Sequence, residues 1–173
     1  MEFLSTIKGL IPDYAKDIRL NLDGTIARSS LEGNDAVAVA LAAAFAAKSR
    51  VIVDAIRNAG VLSPEETNAV LTASALMGMN NVWYPFVEMA DDQDLATQPA
   101  GLRMNAYATH GGVDKRRFEM YALAASIVGK CHFCVKSHYA LLKNEQGMTA
   151  QQLRDVGRIA AVVVAAANVI AAE

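Results

Sequence analysis

Aromatic residues are scarce in this sequence: Phe, Tyr and Trp make up 6% of its 173 residues, and tryptophan occurs once. Runs of Val, Ile, Thr and Tyr alternating with polar residues are also scarce, which argues against sheet. Cysteine occurs only twice, too rarely for the disulfide framework that holds small secreted domains together. Such a pair in a cytoplasmic protein points to catalysis or metal binding. An excess of one charge is lacking too. The formal net charge is -2 with both signs interspersed, which argues against a nucleic-acid footprint. The one basic cluster, Lys115-Arg116-Arg117, is followed at once by Phe118 and Glu119 and reads as a solvated helix face.

No apolar run reaches the ~20 residues that span a bilayer. The two most apolar segments, 36–47 (AVAVALAAAFAA) and 159–172 (IAAVVVAAANVIAA), are shorter and rich in alanine. They read as helices buried on most sides, and so much buried helix in a small chain argues for subunits that share a core. The opening MEFLSTIKGLIPDY has an acidic second residue, no apolar stretch of signal length and a proline at position 12. The expectation is a soluble cytoplasmic oligomer with no membrane or nucleic-acid partner.

Hydrophobic residues make up 53% of the chain, and alanine is the most frequent of them. Alanine has the highest helix propensity, and straight-chain residues fill much of the remainder. The sequence predicts an all-α fold, a single domain over residues 1–173 with about eight helices. Pro12 marks the first turn of a helix over 12–22. Gly33-Asn34-Asp35 offers a cap for a helix over 35–48, and another over 49–59 stops at Gly60. Ser63-Pro64-Glu65-Glu66 combines a capping serine, proline at the first helical position and a glutamate three residues after the cap. That helix is expected to break at Gly78-Met79-Asn80-Asn81 and to resume over 80–90 despite Pro85. Residues 91–101, DDQDLATQPAG, read as a loop, followed by a short helix over 102–108 and a solvated His110. Asp114 caps a helix to about 127, Gly129 interrupts, and a new helix runs to about 145. Thr149 and Gln152 form a capping box for the last helix.

A faint internal echo is present. A shift of 52 residues lays ASALMGMNNV (73–82) over ASIVGKCHFC (125–134), with a helix-break-helix pattern expected in both. The pattern is consistent with an internal helical duplication in which only the second copy carries chemistry. Met77, Met79, Trp83 and Tyr84 in the first copy read as core or subunit contacts.

The chemistry concentrates in GKCHFCVKSHYALL, residues 129–142. Cys131 and Cys134, three residues apart, lie about 60° apart round a helix and within reach of each other. Their alpha carbons then meet the roughly 4.4 to 6.8 Å separation of a disulfide. Coming after the break at Gly129-Lys130, they fall in a helix's first turn, where free N–H groups and the helix dipole stabilise a thiolate. His138 stands four residues after Cys134 on the same face and can exchange a proton with it. Glu119, on the preceding helix within RFEMYALAASIV, is the candidate partner for His138, although it could equally face water. His132 points about 100° away from Cys131 and reads as exposed. Three readings of the cysteines stay open here: a dithiol redox pair, half of a zinc site, or small core residues.

Glu119, twelve positions before Cys131, followed by Cys134 and then His138, resembles the active-site pattern of the alkyl hydroperoxidase D family. That family lies within the carboxymuconolactone decarboxylase-like superfamily. The blocks PDYAKDIRLNL (12–22), MGMNN (77–81) and GLRMN (101–105) carry the likeness across nearly the whole chain. The resemblance implies an all-helical homotrimer that acts as an antioxidant thiol peroxidase and disulfide reductase with no bound cofactor. It implies that Cys134 is peroxidatic, that Cys131 resolves it as a Cys131–Cys134 disulfide, and that His138 and Glu119 relay the proton. The electron donor it implies is dihydrolipoamide, presented on a lipoyl-bearing 2-oxoacid dehydrogenase subunit and linked to NADH through dihydrolipoamide dehydrogenase. A partner peroxiredoxin, alkyl hydroperoxide reductase C, is a second implied acceptor. One position departs: the family pattern has a histidine just before the second cysteine, where this chain has Phe133, so His132 becomes a possible auxiliary from another side. The competing readings are a zinc-stabilised helical interaction protein and a carboxymuconolactone decarboxylase-like enzyme whose proton-transfer chemistry needs no cysteine pair.

Overall fold

The computed structural model describes residues 1–173 as ten α-helices. They are α1 (Glu2–Gly9), α2 (Lys16–Leu22), α3 (Asp35–Ala46), α4 (Arg50–Asn58), α5 (Pro64–Ala90), α6 (Gln93–Thr97), α7 (Asn105–Ala108), α8 (Lys115–Val128), α9 (His132–Asn144) and α10 (Ala150–Ala172). No strand is present, as composition implied.

Small side chains let helices approach closely, and the alanine-rich α3 takes the centre. Every residue from Asp35 to Ala44 is buried, with α4, α5, α8 and α10 packed round it. The chain itself thus covers α3 from Asp35 to Ala44, and only Phe45 near its end is left exposed. Asn34 does not cap α3 with its side chain; its amide donates instead to the Val61 carbonyl at 3.0 Å. The 23-residue α10 is longer than its apolar run and is the one helix long and apolar enough to cross a membrane. Here Val156, Ile159, Ala160 and Val163 are buried as the helix packs on α2, α3 and α8.

Several boundaries match the local signals. Both capping boxes form, at Ser63–Glu66 and at Thr149–Gln152, and the Asp114 side chain accepts from Arg117 N–H. Elsewhere packing overrides local preference. The helix expected to stop at Gly78 runs unbroken from Pro64 to Ala90, through Gly78 and Pro85. The helix-break-helix pattern of the second segment therefore has no counterpart in the first. The acidic stretch after Asp91 contains α6, capped by the Asp92 side chain, and the helix expected over 102–108 is only Asn105–Ala108. At the start, α1 had no clear sequence signal, and the segment from position 12 divides into a 3-10 turn, α2 and a π-helical turn. The basic cluster is not a solvated face. Arg117 lies 3.1 Å from buried Asp35 and 3.4 Å from Glu66, tying α8 to the starts of α3 and α5. His110 is half-buried against the rings of Phe118 and Tyr107.

Candidate active site

The site begins where α8 stops. Lys130 adopts a left-handed backbone with φ 55°, Cys131 N–H donates back to Ser126 O at 3.3 Å, and Lys130 N–H to Ile127 O at 3.1 Å. This paired closure satisfies the terminal carbonyls of α8 and turns the chain sharply. Gly129 is not the left-handed residue; its φ is -72°. It is needed for room. A Cβ at Gly129 would overlap the side chain of Asn81 on α5, whose amide donates to the Ala125 carbonyl at 3.0 Å. Asn81 thus fills the elbow between α8 and α9.

Beyond the elbow, Cys131 is the N-cap of α9, and its Sγ accepts from Cys134 N–H at 3.2 Å. The two sulfurs are joined as a disulfide with alpha carbons 5.3 Å apart. Cys131 is completely buried, with Sγ 3.9 Å from the Asn80 carbonyl oxygen. Cys134 is 3% exposed and lines a cavity of about 400 Å³ together with Tyr84, Tyr107, Phe133 and His138. Of the two sulfurs, only Cys134 meets a space that a reactant can enter.

Behind the cavity lies a buried acid–imidazole pair. His138 Nδ1 sits 2.6 Å from Glu119 Oε2, and Glu119 has no exposed surface. Burial alone would raise the Glu119 carboxyl, but hydrogen bonds from His138 and Tyr107 outweigh it and hold the group below its ordinary range. Tyr107 donates from its hydroxyl to Glu119 Oε1. Burial first, then this bond to Glu119, pushes the phenol well above its usual value, so it remains a donor. An ionised Glu119 can only accept, so Nδ1 of His138 carries the proton they share, and Nε2 is the other ring nitrogen. Nε2 contacts the Met77 sulfur at 3.2 Å. His138 and Cys134 line the same cavity, with no direct hydrogen bond between them in this disulfide form.

Four predicted residues, Glu119, Cys131, Cys134 and His138, thus come together. His132 does not join them: it is exposed and pairs with Glu88 at 3.1 Å. Phe133, at the position of the family histidine, stacks on Tyr84 with ring centroids 4.2 Å apart. No group of three or more His, Cys, Asp or Glu side chains is arranged to hold a metal ion. Sequence reasoning missed Tyr107, Met77 and Asn81. Asn81 and Met77 belong to the quoted MGMNN block and Tyr107 follows GLRMN, but no local rule assigns them a place beside the sulfurs.

The fold and the sulfur centre together define a helical dithiol protein. Its second half, residues 93–173, matches the carboxymuconolactone decarboxylase family, and this stretch carries Tyr107, Glu119, both cysteines and His138. Individual relatives extend the likeness to nearly the full chain. Alkyl hydroperoxide reductase AhpD of Hyphomonas neptunium is 42% identical over 172 residues, which is 98% of this chain and 94% of the relative. The protein of the same name from Maricaulis maris is 41% identical over 172 residues, 98% of each chain. That of Coxiella burnetii is 36% identical over 165 residues, 92% of each. The chain belongs to the AhpD family.

Proposed function

We propose that this protein is a cytoplasmic antioxidant oxidoreductase that reduces hydroperoxides with its Cys131–Cys134 dithiol. The observation that carries this reading is the division of labour at the start of α9: one sulfur is sealed at the helix cap, and the other opens onto a cavity shared with His138. In the reduced protein the Cys134 thiolate attacks the terminal oxygen of the hydroperoxide. The O–O bond breaks, its electron pair leaves on the alkoxide, and a proton delivered through His138 completes the alcohol. Cys134 is then a sulfenic acid. Cys131 attacks that sulfur, the S–O bond breaks, and hydroxide leaves as water after taking a proton. Glu119 holds the Nδ1 proton of His138, and Tyr107 holds Glu119.

The geometry also gives re-reduction a direction. A donor thiolate attacks the accessible sulfur of Cys134, the S–S bond breaks, and Cys131 leaves as a thiolate. Its cap bond from Cys134 N–H and the positive end of α9 favour that leaving group. The donor's second thiol then closes a disulfide within the donor and frees Cys134. A vicinal dithiol such as dihydrolipoamide, carried on a 2-oxoacid dehydrogenase subunit, fits this sequence. Delivery of electrons to alkyl hydroperoxide reductase C and assembly as a homotrimer complete the proposal.

The test is peroxide consumption coupled to NADH oxidation through dihydrolipoamide dehydrogenase, with dihydrolipoamide and thioredoxin supplied in turn. Steady consumption with dihydrolipoamide is expected. Absence of turnover with either donor would remove the reading, as would stoichiometric zinc with unreactive thiols. Activity that survives Cys134→Ser would transfer the chain to the proton-transfer chemistry of carboxymuconolactone decarboxylases.

A further inference from the structure

Met77 lies on α5, fully buried against Ala122 and Ala125 of α8, with Met104 and Tyr107 beside it. Its sulfur is the one hydrogen-bond partner of His138 Nε2, at 3.2 Å. A thioether sulfur carries no hydrogen and can only accept. The contact is therefore favourable with a proton on Nε2; without one, it sets two lone pairs face to face. The other nitrogen, Nδ1, already shares a proton with Glu119. In the disulfide form the Glu119–His138 pair thus carries two protons, one between the two groups and one on the Met77 side.

Acceptor strength decides where that second proton goes. Thioether and disulfide sulfurs are weak acceptors, whereas a thiolate accepts a charge-assisted bond. Cys134 stands one turn before His138 on α9 and lines the same cavity. We infer that Met77 is a positioning residue that parks the Nε2 proton of His138 while Cys134 is tied up in the disulfide, and yields it to the Cys134 thiolate when a dithiol reopens the site. The inference rests on the peroxidase reading and supplies the reductive half of its cycle with a proton. In the mixed disulfide, the donor's second thiolate attacks the donor sulfur. The S–S bond to Cys134 breaks, its electron pair leaves on Cys134, and the Nε2 proton crosses to that sulfur. The donor's second thiol released one proton to solvent on becoming a thiolate, so the count balances. Nε2 regains a proton from solvent once the disulfide has formed again. Stabilising the departing thiolate speeds the exchange.

Met77→Leu keeps volume and burial and removes only the acceptor. Dithiothreitol, a dithiol that needs no docking, should reduce the disulfide of this variant about tenfold more slowly than that of the wild type. Oxidation of reduced Cys134 by peroxide should slow far less, because there Nε2 faces the thiolate itself. Nitrogen-15 spectra of the disulfide form at pH 7 should show both ring nitrogens of His138 protonated in the wild type, and Nε2 bare in the variant. A bare Nε2 in the wild type overturns the inference, and that measurement needs no variant to fold. An unaltered reduction rate, or an Nε2 equally protonated in the variant, overturns it too. So does equal slowing of both half-reactions, which would make Met77 a packing residue. Failure of the parent reading looks different: the reduced wild-type protein would then consume no peroxide, whatever the spectra and the dithiothreitol rates show.

Discussion

Gly78 and Gly129 stand in the middle of two similar stretches of sequence, one position out of register, and only Gly129 lies where a helix ends. At Gly78 the backbone stays helical, a Cβ would meet nothing within 4 Å, and α5 continues past Pro85 to Ala90. At Gly129 the next residue turns left-handed, and a side chain from α5 occupies the space a Cβ would need. Glycine alone does not break a helix. The break forms where Cys131 and Lys130 N–H turn back to the Ser126 and Ile127 carbonyls, and Asn81 adds a second hydrogen bond to the Ala125 carbonyl, which still accepts from Gly129 N–H at 3.0 Å. The unbroken helix supplies the wedge that opens the broken one. The opening then yields a fresh helix start, and Cys131 takes its cap.

The comparison can be tested most severely at the sulfurs. Cys134→Ser should abolish peroxide turnover, while Cys131→Ser should permit one oxidation per chain and then stall, as followed by stopped-flow peroxide loss. Sustained cycling by the Cys131 variant would contradict its resolving role. Next comes the elbow. Gly129→Ala forces Asn81 out and should cost about 1–3 kcal/mol in denaturant unfolding. Asn81→Ala should make the same change cheaper, and a full additive cost in the double variant would mean that the two residues do not compete for space.

Tyr107→Phe should act on the relay with less effect on the fold. Loss of one hydrogen bond to a charged group corresponds to about a tenfold slower iodoacetamide reaction of Cys134 at pH 7, with the pH profile moved upward. Glu119→Gln should move it further in the same direction, and unchanged profiles in both would take the pair out of the relay. The sign for stability is also fixed. Glu119 is held below its ordinary range in the fold, so its contribution is present above the unfolded value near about 4.3. It disappears as pH falls through the lower folded value. Thermal unfolding should therefore show the full wild-type advantage over Glu119→Gln at about pH 6 and a progressively smaller one below about pH 5. The smallest effect is expected at the glycine of the unbroken helix. Gly78→Ala should stabilise the protein by about 0.5–1 kcal/mol, because it adds helix propensity where nothing obstructs. A loss of stability there would show that Gly78 also has a packing role.

What the sequence made legible was local. The Ser63–Glu66 and Thr149–Gln152 caps, the start of α8 after Asp114 and the successive spacings from Cys131 to Cys134 to His138 each depend on a step of three or four positions. They form as expected. What stayed hidden depends on distant segments. Glu119 has charged residues before it and apolar ones after it, a pattern that fits either a wet or a dry face; only the approach of α9 and Tyr107 decides it. Arg117 read as solvent-facing because Asp35 and Glu66 lie far away in sequence. The stop expected at Gly78 failed because α3, α8 and α9 pack along α5.

The enclosure of α3 from Asp35 to Ala44 sets a limit on how this protein can vary. Most helices here have a wet side, so a saturation-substitution map should show stripes of tolerance at helical spacing. Over Ala36–Ala44, where no residue is more than 3% exposed, the map should show a solid block of intolerance. Even single added methyl groups in that block would push apart four neighbouring helices at once. Lineages diverging from this sequence would then have to change α3 and its neighbours together or not at all.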